Sequence, residues 1–376
     1  MVTFLKLKKL WSWKIKFYLN LFMGNNLSLF NDFLEYKFPT PQYLGAKYKH
    51  LNWIGKYVSK NTRIVLDVFA GSQSVAYYFK QLGYQVYTND FLNFNNQIGK
   101  ALIENNSVKL TNDDLKVLFS PNRNKNKFNL MENLFTNIFF TKEECEFLDS
   151  FRSNIELLSK TKQSLSLAII NRALTRKVTM GHFAHTKALE YANNKERVKR
   201  NRSLVRPIKD IFMELLPEYN NSIFDNHQEN KSFNEDAISL IEHLNTKVDL
   251  LYLDPPYCDS HADYQSFYHL LETYTQYWKN KKFINSTHKY FPKIYSGFDT
   301  KKDITTSFER LFKQAQKIPY WLISYNDRSY PNKDEMIKLI SKYKDVKLSF
   351  KEYYNNVGGK GSVKGSKELL FVCSPK

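Results

Sequence analysis

The segment LLYLDPPY at residues 250–257 decides the fold of this chain. The apolar run from Val248 to Leu253 predicts a buried β-strand. Neither Pro255 nor Pro256 has a backbone N–H, and Pro256 also excludes the residue before it from the helical region. The strand therefore ends in a rigid corner that presents a carboxylate, an unpaired carbonyl and an aromatic ring. Open α/β sheets bind ligands at the carboxyl ends of their strands, so the segment predicts a site as well as a strand.

A second ligand-binding pattern occurs earlier in the chain. Residues 63–72 read as a core strand that turns into a helix, with Gly71 permitting the tight turn and Ser72 predicted as the N-cap. A further strand over residues 85–88 is followed by Asp90. This order suits an adenosine, because the backbone can approach the ligand at Gly71 and the acid about 20 residues later can accept ribose hydrogen bonds.

The composition limits the classes of function. The chain has 376 residues, 42% of them hydrophobic, which is enough for a folded core and about two to three domains. Its net charge of +19 favours a polyanionic partner. No apolar run approaches the ~18 residues of a membrane-spanning helix, so we expect no membrane partner. Cys145, Cys258 and Cys373 lack metal-binding spacing and predict a reducing compartment, the cytoplasm, with no disulfide framework and no metal site.

The positive charge is concentrated in one segment. Residues 151–210 contain 14 Lys or Arg against 4 Asp or Glu, which is +10 of the total +19. A charge run is often only a solvated surface, but its concentration here favours a surface that follows phosphates. The residues predicted to contact DNA are Arg172, Arg176, Lys177, Lys195, Arg197, Lys199, Arg200 and Arg202.

An Asp-Pro-Pro-Tyr sequence after an apolar strand resembles the catalytic motif of Dam-like (D12 class) DNA adenine-N6 methyltransferases, which use S-adenosyl-L-methionine (AdoMet). The resemblance implies an α/β fold, a Rossmann-like methyltransferase sheet with an inserted, mostly helical DNA-recognition domain. It implies that Asp254 and Pro255 accept hydrogen bonds from the adenine amine and that Tyr257 stacks on a base taken out of the duplex. Pro256 completes the catalytic set.

The same resemblance extends to the cofactor segments. Residues 41–47 are similar to the first AdoMet-contacting segment of the class, although Ala46 replaces its second glycine and Gln73 replaces a glycine that is common in the later loop. Asp236 has two equally weighted interpretations, a contact near the adenine ring or an acid at a helix N-terminus. The implied cofactor-binding residues are Tyr43, Lys47, Asp67, Phe69, Gly71, Ser72, Asp90, Asp236, Ala237 and Asp254.

The motif order predicts a division of the chain. We expect a basic N-terminal extension over residues 1–35, a catalytic domain over 36–95 and 231–376, and an inserted target-recognition domain over 96–230. The extension is either a peripheral amphipathic helix or an over-extended reading frame with the native start at Met23. The expected partners are double-stranded DNA and a cognate restriction endonuclease acting on the same site, with the protein working as a monomer on DNA.

Three other functions remain open at this point. They are N4-cytosine methylation, methylation of a glutamine side chain in a protein, and a catalytically silent DNA-binding specificity subunit. The first two are typically associated with Ser or Asn in place of Asp254, and the intact tetrapeptide argues against the third.

The C-terminal part continues the α/β pattern. Thr306 and Glu309 have the spacing of a capping box that opens a helix. Residues 320–327 predict another strand ending at the same sheet edge, followed by a helix over 336–340 and two strands over 346–354 and 369–373. The glycine- and lysine-rich connection over 358–367 is predicted to be a mobile loop.

Overall fold

The computed structural model describes residues 36–256, 258, 263–278, 282–283, 293–353 and 366–376. Tyr257, the extension over 1–35 with its alternative start at Met23, and residues 358–365 of the glycine-rich connection lie outside the described residues.

A seven-stranded mixed sheet forms the centre of the molecule. Its strands are β1 Ile64–Asp67, β2 Gln85–Asn89, β3 Lys231–Phe233, β4 Leu250–Leu253, β5 Tyr320–Asn326, β6 Asp345–Tyr353 and β7 Ser366–Ser374. Their order is β3-β2-β1-β4-β5-β7-β6, with β1 to β5 parallel and β7 antiparallel to both neighbours. This confirms the predicted α/β class and is consistent with an AdoMet methyltransferase fold.

The α-helices are α1 Leu51–Gly55, α2 Ser74–Gln81, α3 Asn93–Gly99, α4 Asn112–Leu118, α5 Leu130–Phe135, α6 Lys142–Ile155, α7 Lys160–Arg176, α8 Ala188–Ala192, α9 Lys195–Arg200, α10 Ile208–Asn221, α11 Ala237–His243, α12 Tyr264–Phe267, α13 His269–Gln276, α14 Lys301–Ala315 and α15 Lys333–Ile340. A π-helical turn, Lys100–Glu104, continues α3, and short 3-10 helices lie at Lys47–Lys49, Thr179–Gly181 and Arg202–Leu204.

The two faces of the sheet bury two hydrophobic clusters. Successive strand residues point to opposite faces, so Val65 lies in one cluster and Leu66 in the other, and Leu250 and Leu251 divide in the same way. The first cluster is covered by α2, α13 and the helices between α3 and α10, and the second mainly by α11, α14 and α15. Full burial of each such aliphatic side chain stabilises the fold by about 1.5–3 kcal/mol.

The segment between residues 96 and 230 is mostly helical, as predicted, but it shares the first hydrophobic cluster with the sheet. Ile103, Ile169 and Phe212 belong to the same cluster as Val65 and Val75. Residues 96–230 therefore share a hydrophobic core with the sheet. The division of the chain into a catalytic domain and an inserted recognition domain stays a prediction.

Two local predictions were wrong. The N-cap of α2 is Gln73 in a left-handed conformation, and the Ser72 hydroxyl instead donates a 3.1 Å hydrogen bond to Ser74. The helix predicted to open at Thr306 begins five residues earlier, at Lys301. The earlier start buries Ile304 on the same face as Phe308, so packing outweighed the capping pattern. Strand β3 was also missed, because three residues are too short to show a period.

Within the described ranges, no helix is long and apolar enough to cross a membrane. The three cysteines lie within the described residues and are buried thiols. No group of three or more His, Cys, Asp or Glu residues in the described part of the chain could hold a metal ion.

Candidate active site

A cleft of about 840 Å³, partly open to solvent, lies at the carboxyl ends of β1, β2 and β4. These strands are parallel, so Asp67, Asp90 and Asp254 at or just beyond their ends meet at one edge of the sheet. All ten residues predicted to bind a cofactor line this cleft: Tyr43, Lys47, Asp67, Phe69, Gly71, Ser72, Asp90, Asp236, Ala237 and Asp254. Pro255 and Pro256 line it as well.

The loop after β1 brings the backbone close to the cleft. Gly71 has a φ of +47°, which favours glycine, and its N–H donates a 2.8 Å hydrogen bond to Asp90 Oδ2. The other oxygen of Asp90 accepts a 2.9 Å hydrogen bond from the Leu92 N–H. Burial raises the pKa of Asp90 to about 6, although both hydrogen bonds act in the opposite direction. Asp90 therefore fixes the loop and keeps spare acceptor capacity toward the cleft.

Gln73 occupies a backbone conformation that explains why glycine is common there. Its φ is +67°, which is unfavourable for a residue with a Cβ, and its side chain is fully buried. Two hydrogen bonds hold it: the Thr88 hydroxyl donates to its Oε1 at 2.6 Å, and its Nε2 donates to the Asn95 carbonyl at 3.2 Å. These bonds stabilise the strained conformation without a glycine.

Asp67 is a buried carboxyl group whose oxygens make no hydrogen bond of normal geometry within the described residues, although the Phe69 N–H lies near enough to act against the rise of its pKa. Burial, together with the charges of Asp254 and Asp90, raises the pKa of Asp67 well above its usual range. Leaving a buried acceptor unsatisfied costs about 1–3 kcal/mol, so such a group points to a ligand that would donate to it or carry positive charge.

Lys47 and Asp254 form a close ion pair. The Lys47 ammonium donates to both Asp254 oxygens at 2.8 Å and to the Gly45 carbonyl at 3.0 Å. Glu368 of β7 lies 3.4 Å from the same ammonium. Burial alone would lower the pKa of Lys47, but the charges of Asp254 and Glu368 raise it above its ordinary value. The catalytic carboxylate predicted from the motif is therefore already positioned by a buried cation.

Three tyrosine rings form a stack beside the cleft. Tyr43 stacks on Tyr268 at 4.7 Å between centroids and on Tyr264 at 5.7 Å. The Tyr268 hydroxyl accepts a 2.8 Å hydrogen bond from the Leu44 N–H, which holds the segment containing Lys47. Sequence reasoning missed Tyr264 and Tyr268, although two tyrosines four residues apart after the motif were a usable signal.

Asp236 confirms its interpretation as an acid at a helix N-terminus, and its contact near an adenine ring stays a prediction. It is the N-cap of α11, with Oδ1 accepting from the N–H groups of Ile238 and Ser239 at 3.1 and 3.0 Å, and it also lines the cleft.

The eight basic residues predicted to contact DNA fall into two groups. The exposed group consists of Lys195, Arg197, Lys199 and Arg200 on α9, with Arg202 just beyond it. The more buried group is engaged within the protein. Arg172 donates to Thr40 and Gln42, and Arg176 pairs with Glu214 at 2.8 Å.

Lys177 departs most clearly from its prediction. It is 7% exposed, pairs with Glu144 at 2.6 Å and donates to the carbonyls of Leu204 and Arg206. Its ammonium holds the chain that follows α9 against α7, so its role is structural rather than a phosphate contact.

Comparison with known proteins gives one consistent family. Residues 43–348 match the family model of the D12 class N6 adenine-specific DNA methyltransferases. The chain is 34% identical over 348 residues to the type II methyltransferase M2.HphI of Haemophilus parahaemolyticus, covering 89% of this chain and 98% of that protein. It is 28% identical to the modification methylase StsI of Streptococcus sanguinis and 25% identical to the type II methyltransferase M.FokI of Planomicrobium okeanokoites. It spans about half the length of these last two relatives (52% and 49%).

Proposed function

Since the chain belongs to the D12 class of N6 adenine-specific DNA methyltransferases, we propose that its cleft binds AdoMet and presents Asp254 and Pro255 to the amine of an adenine taken out of duplex DNA. The family makes adenine in DNA the methylated base, in preference to cytosine N4 or a protein glutamine. It also argues against a catalytically silent specificity subunit.

The charges of the cleft support a cationic cofactor. Among the described residues that line it, Asp90, Glu235, Asp236 and Asp254 carry carboxylates against the one ammonium of Lys47. Asp67 adds a carboxyl group whose raised pKa a bound cation would lower. Such an excess of negative charge stabilises a ligand with a positively charged sulfur and amine. Gly71 allows the backbone to approach the ligand, and Asp67 and Asp90 offer acceptors to hydroxyl or amine groups.

The chain's own residues would act on the target amine. AdoMet supplies an electrophilic methyl group. Asp254 and the Pro255 carbonyl would accept hydrogen bonds from the amine, which keeps its lone pair on nitrogen instead of in the ring. Tyr257 would stack on the base. The nitrogen would form the new bond to the methyl carbon as the carbon–sulfur bond of the donor breaks and leaves a neutral thioether. The nitrogen would then lose one proton, for which the Asp254 carboxylate is the adjacent acceptor.

The exposed basic helix α9 and Arg202 are proposed as the surface that contacts DNA phosphates. Residues 96–230, of which these are part, would supply target recognition. We further propose that the protein works as a monomer on double-stranded DNA in the cytoplasm. Because its relatives are named type II methyltransferases and a modification methylase, a restriction endonuclease of the same site is the proposed partner.

The observation that carries this proposal is the meeting of the Asp254-Pro255-Pro256 corner with Gly71 and Asp90 in one cleft. The test is incubation with methyl-labelled AdoMet and duplex DNA, followed by digestion to nucleosides. We expect label in N6-methyladenine, loss of label with Asp254→Ala, and retention of DNA by that variant. Label in N4-methylcytosine, or unchanged activity of Asp254→Ala, would contradict the proposal. Mapping the methylated adenines would identify the sequence at which a partner endonuclease should be blocked.

A further inference from the structure

We propose that Glu368 is a positioning residue for methyl transfer, which draws the Lys47 ammonium away from Asp254 so that Asp254 can accept the target amine. This inference rests on the role proposed above for Asp254. Glu368 does not line the cleft and belongs to no sequence motif described above. Its contact with the site is indirect, through the Lys47 ammonium, which lines the cleft.

The contacts show why Lys47 needs a second carboxylate. Lys47 donates to both oxygens of Asp254 at 2.8 Å, so the ammonium and the adenine amine would compete for the same acceptors. An ammonium has three protons. The Gly45 carbonyl is 3.0 Å away and Glu368 Oε1 is 3.4 Å away, so two further acceptors surround it. A small movement toward Glu368 would free Asp254 while leaving the ammonium paired.

Burial makes this exchange electrostatically significant. The side chains of Lys47 and Glu368 are each 4% exposed, whereas that of Asp254 is 19% exposed and faces the cleft. A buried ammonium that lost its partner would be strongly destabilised. Glu368 prevents this outcome, because Lys47 keeps a carboxylate whichever way Asp254 is engaged.

The sheet topology places Glu368 there. Strand β7 is antiparallel to β5, so its first residues lie at the edge where β4 and β5 end, and Glu368 pairs with Asn326, the last residue of β5. From the sequence alone, a charged residue at the start of a strand is predicted to be exposed to solvent. Only the pairing of β7 with β5 makes it a buried neighbour of Lys47.

The experiment compares single-turnover methylation of duplex DNA by the full-length wild type, Glu368→Gln, Glu368→Asp and Glu352→Gln. Glu352→Gln is the matched control, because Glu352 lies on the neighbouring strand β6, is exposed and pairs with Lys367. Loss of this buried ion-pair partner predicts a rate roughly 10- to 100-fold lower for Glu368→Gln. We expect dissociation constants for AdoMet and DNA within about threefold of wild type, partial recovery in Glu368→Asp and a wild-type rate in Glu352→Gln.

A double-mutant cycle separates this role from general damage to the site. If Glu368 acts through Lys47, adding Glu368→Gln to Lys47→Gln should slow the reaction no further. Wild-type turnover in Glu368→Gln, multiplied losses in the double variant, or a parallel loss of AdoMet affinity would overturn the inference. An active Asp254→Asn variant would instead refute the role proposed for Asp254, so the two failures are distinguishable.

Discussion

The Tyr43 ring lies directly against Gly71, so that a Cβ at residue 71 would be 2.9 Å from the ring carbon Cε1. The segment predicted to contact AdoMet first, residues 41–47, and the glycine loop are separate patterns in the sequence, yet they are in van der Waals contact in the structure. This packing leaves no room for a side chain at residue 71.

Gly71→Ala should therefore weaken AdoMet binding as well as stability. The φ of +47° makes alanine strained by roughly 1–3 kcal/mol, and the new methyl group would also displace Tyr43. Isothermal titration and urea unfolding would measure the two effects. Gly83→Ala is the control, since Gly83 has a φ of +88° and a Cβ added there would meet no atom within 4 Å. Gly83→Ala should lose stability only, and equal AdoMet affinity in both variants would contradict the packing argument.

Asp67→Asn should stabilise the ligand-free protein while weakening AdoMet binding. A raised pKa means that the folded state holds a proton that the unfolded state releases, so Asp67 lowers stability as pH rises from about 4 toward its folded pKa. The amide removes this penalty, and the gain should be larger at pH 8 than at pH 5. Urea unfolding at the two pH values is the measurement. A variant less stable than wild type at pH 8 would show that the carboxylate is satisfied in the folded protein.

Gln73→Gly should destabilise this protein even though glycine is common at that position in the class. Glycine relieves about 1–2 kcal/mol of left-handed strain. It also leaves the buried Thr88 hydroxyl without its acceptor, at about 1–3 kcal/mol, and removes the hydrogen bond to the Asn95 carbonyl, worth about 0.5–1.5 kcal/mol. Urea unfolding should show that the free energy of unfolding of Gln73→Gly is lower than that of the wild type. Adding Thr88→Val removes the hydroxyl left without its acceptor and should recover part of this loss. A gain in stability from Gln73→Gly alone would refute the hydrogen-bond argument.

Lys195→Ala and Lys177→Met should change different properties: the first should weaken DNA binding, and the second should lower stability. Lys195 is exposed on α9, so its removal should weaken DNA binding and reduce the slope of log affinity against log salt by about 1. Lys177 is buried against Glu144, so Lys177→Met should lower the free energy of unfolding by roughly 3–5 kcal/mol. Folded Lys177→Met protein should keep the wild-type salt slope. Filter binding over a salt series would measure the salt slope of each variant, and urea unfolding would measure the stability of Lys177→Met. An unchanged slope for Lys195→Ala would exclude a phosphate contact by Lys195.

The local patterns in the sequence determined the fold class and the position of the cleft. An apolar strand stopped by two prolines, and a strand followed by a glycine turn and an acid, each depend on backbone sterics within a few residues. Parallel pairing then brings the ends of β1, β2 and β4 together, which is why Asp67, Gly71, Asp90 and Asp254 line one cleft.

The tertiary structure alone decided which charges are paired. Lys47 and Asp254 are 207 positions apart, Glu368 joins them through the antiparallel strand β7, and Lys177 is buried while Lys195 remains exposed. None of these facts has a local pattern, because the environment of a charged side chain depends on what the rest of the chain packs around it. Burial makes an ion pair obligatory where solvent would leave the same charges independent.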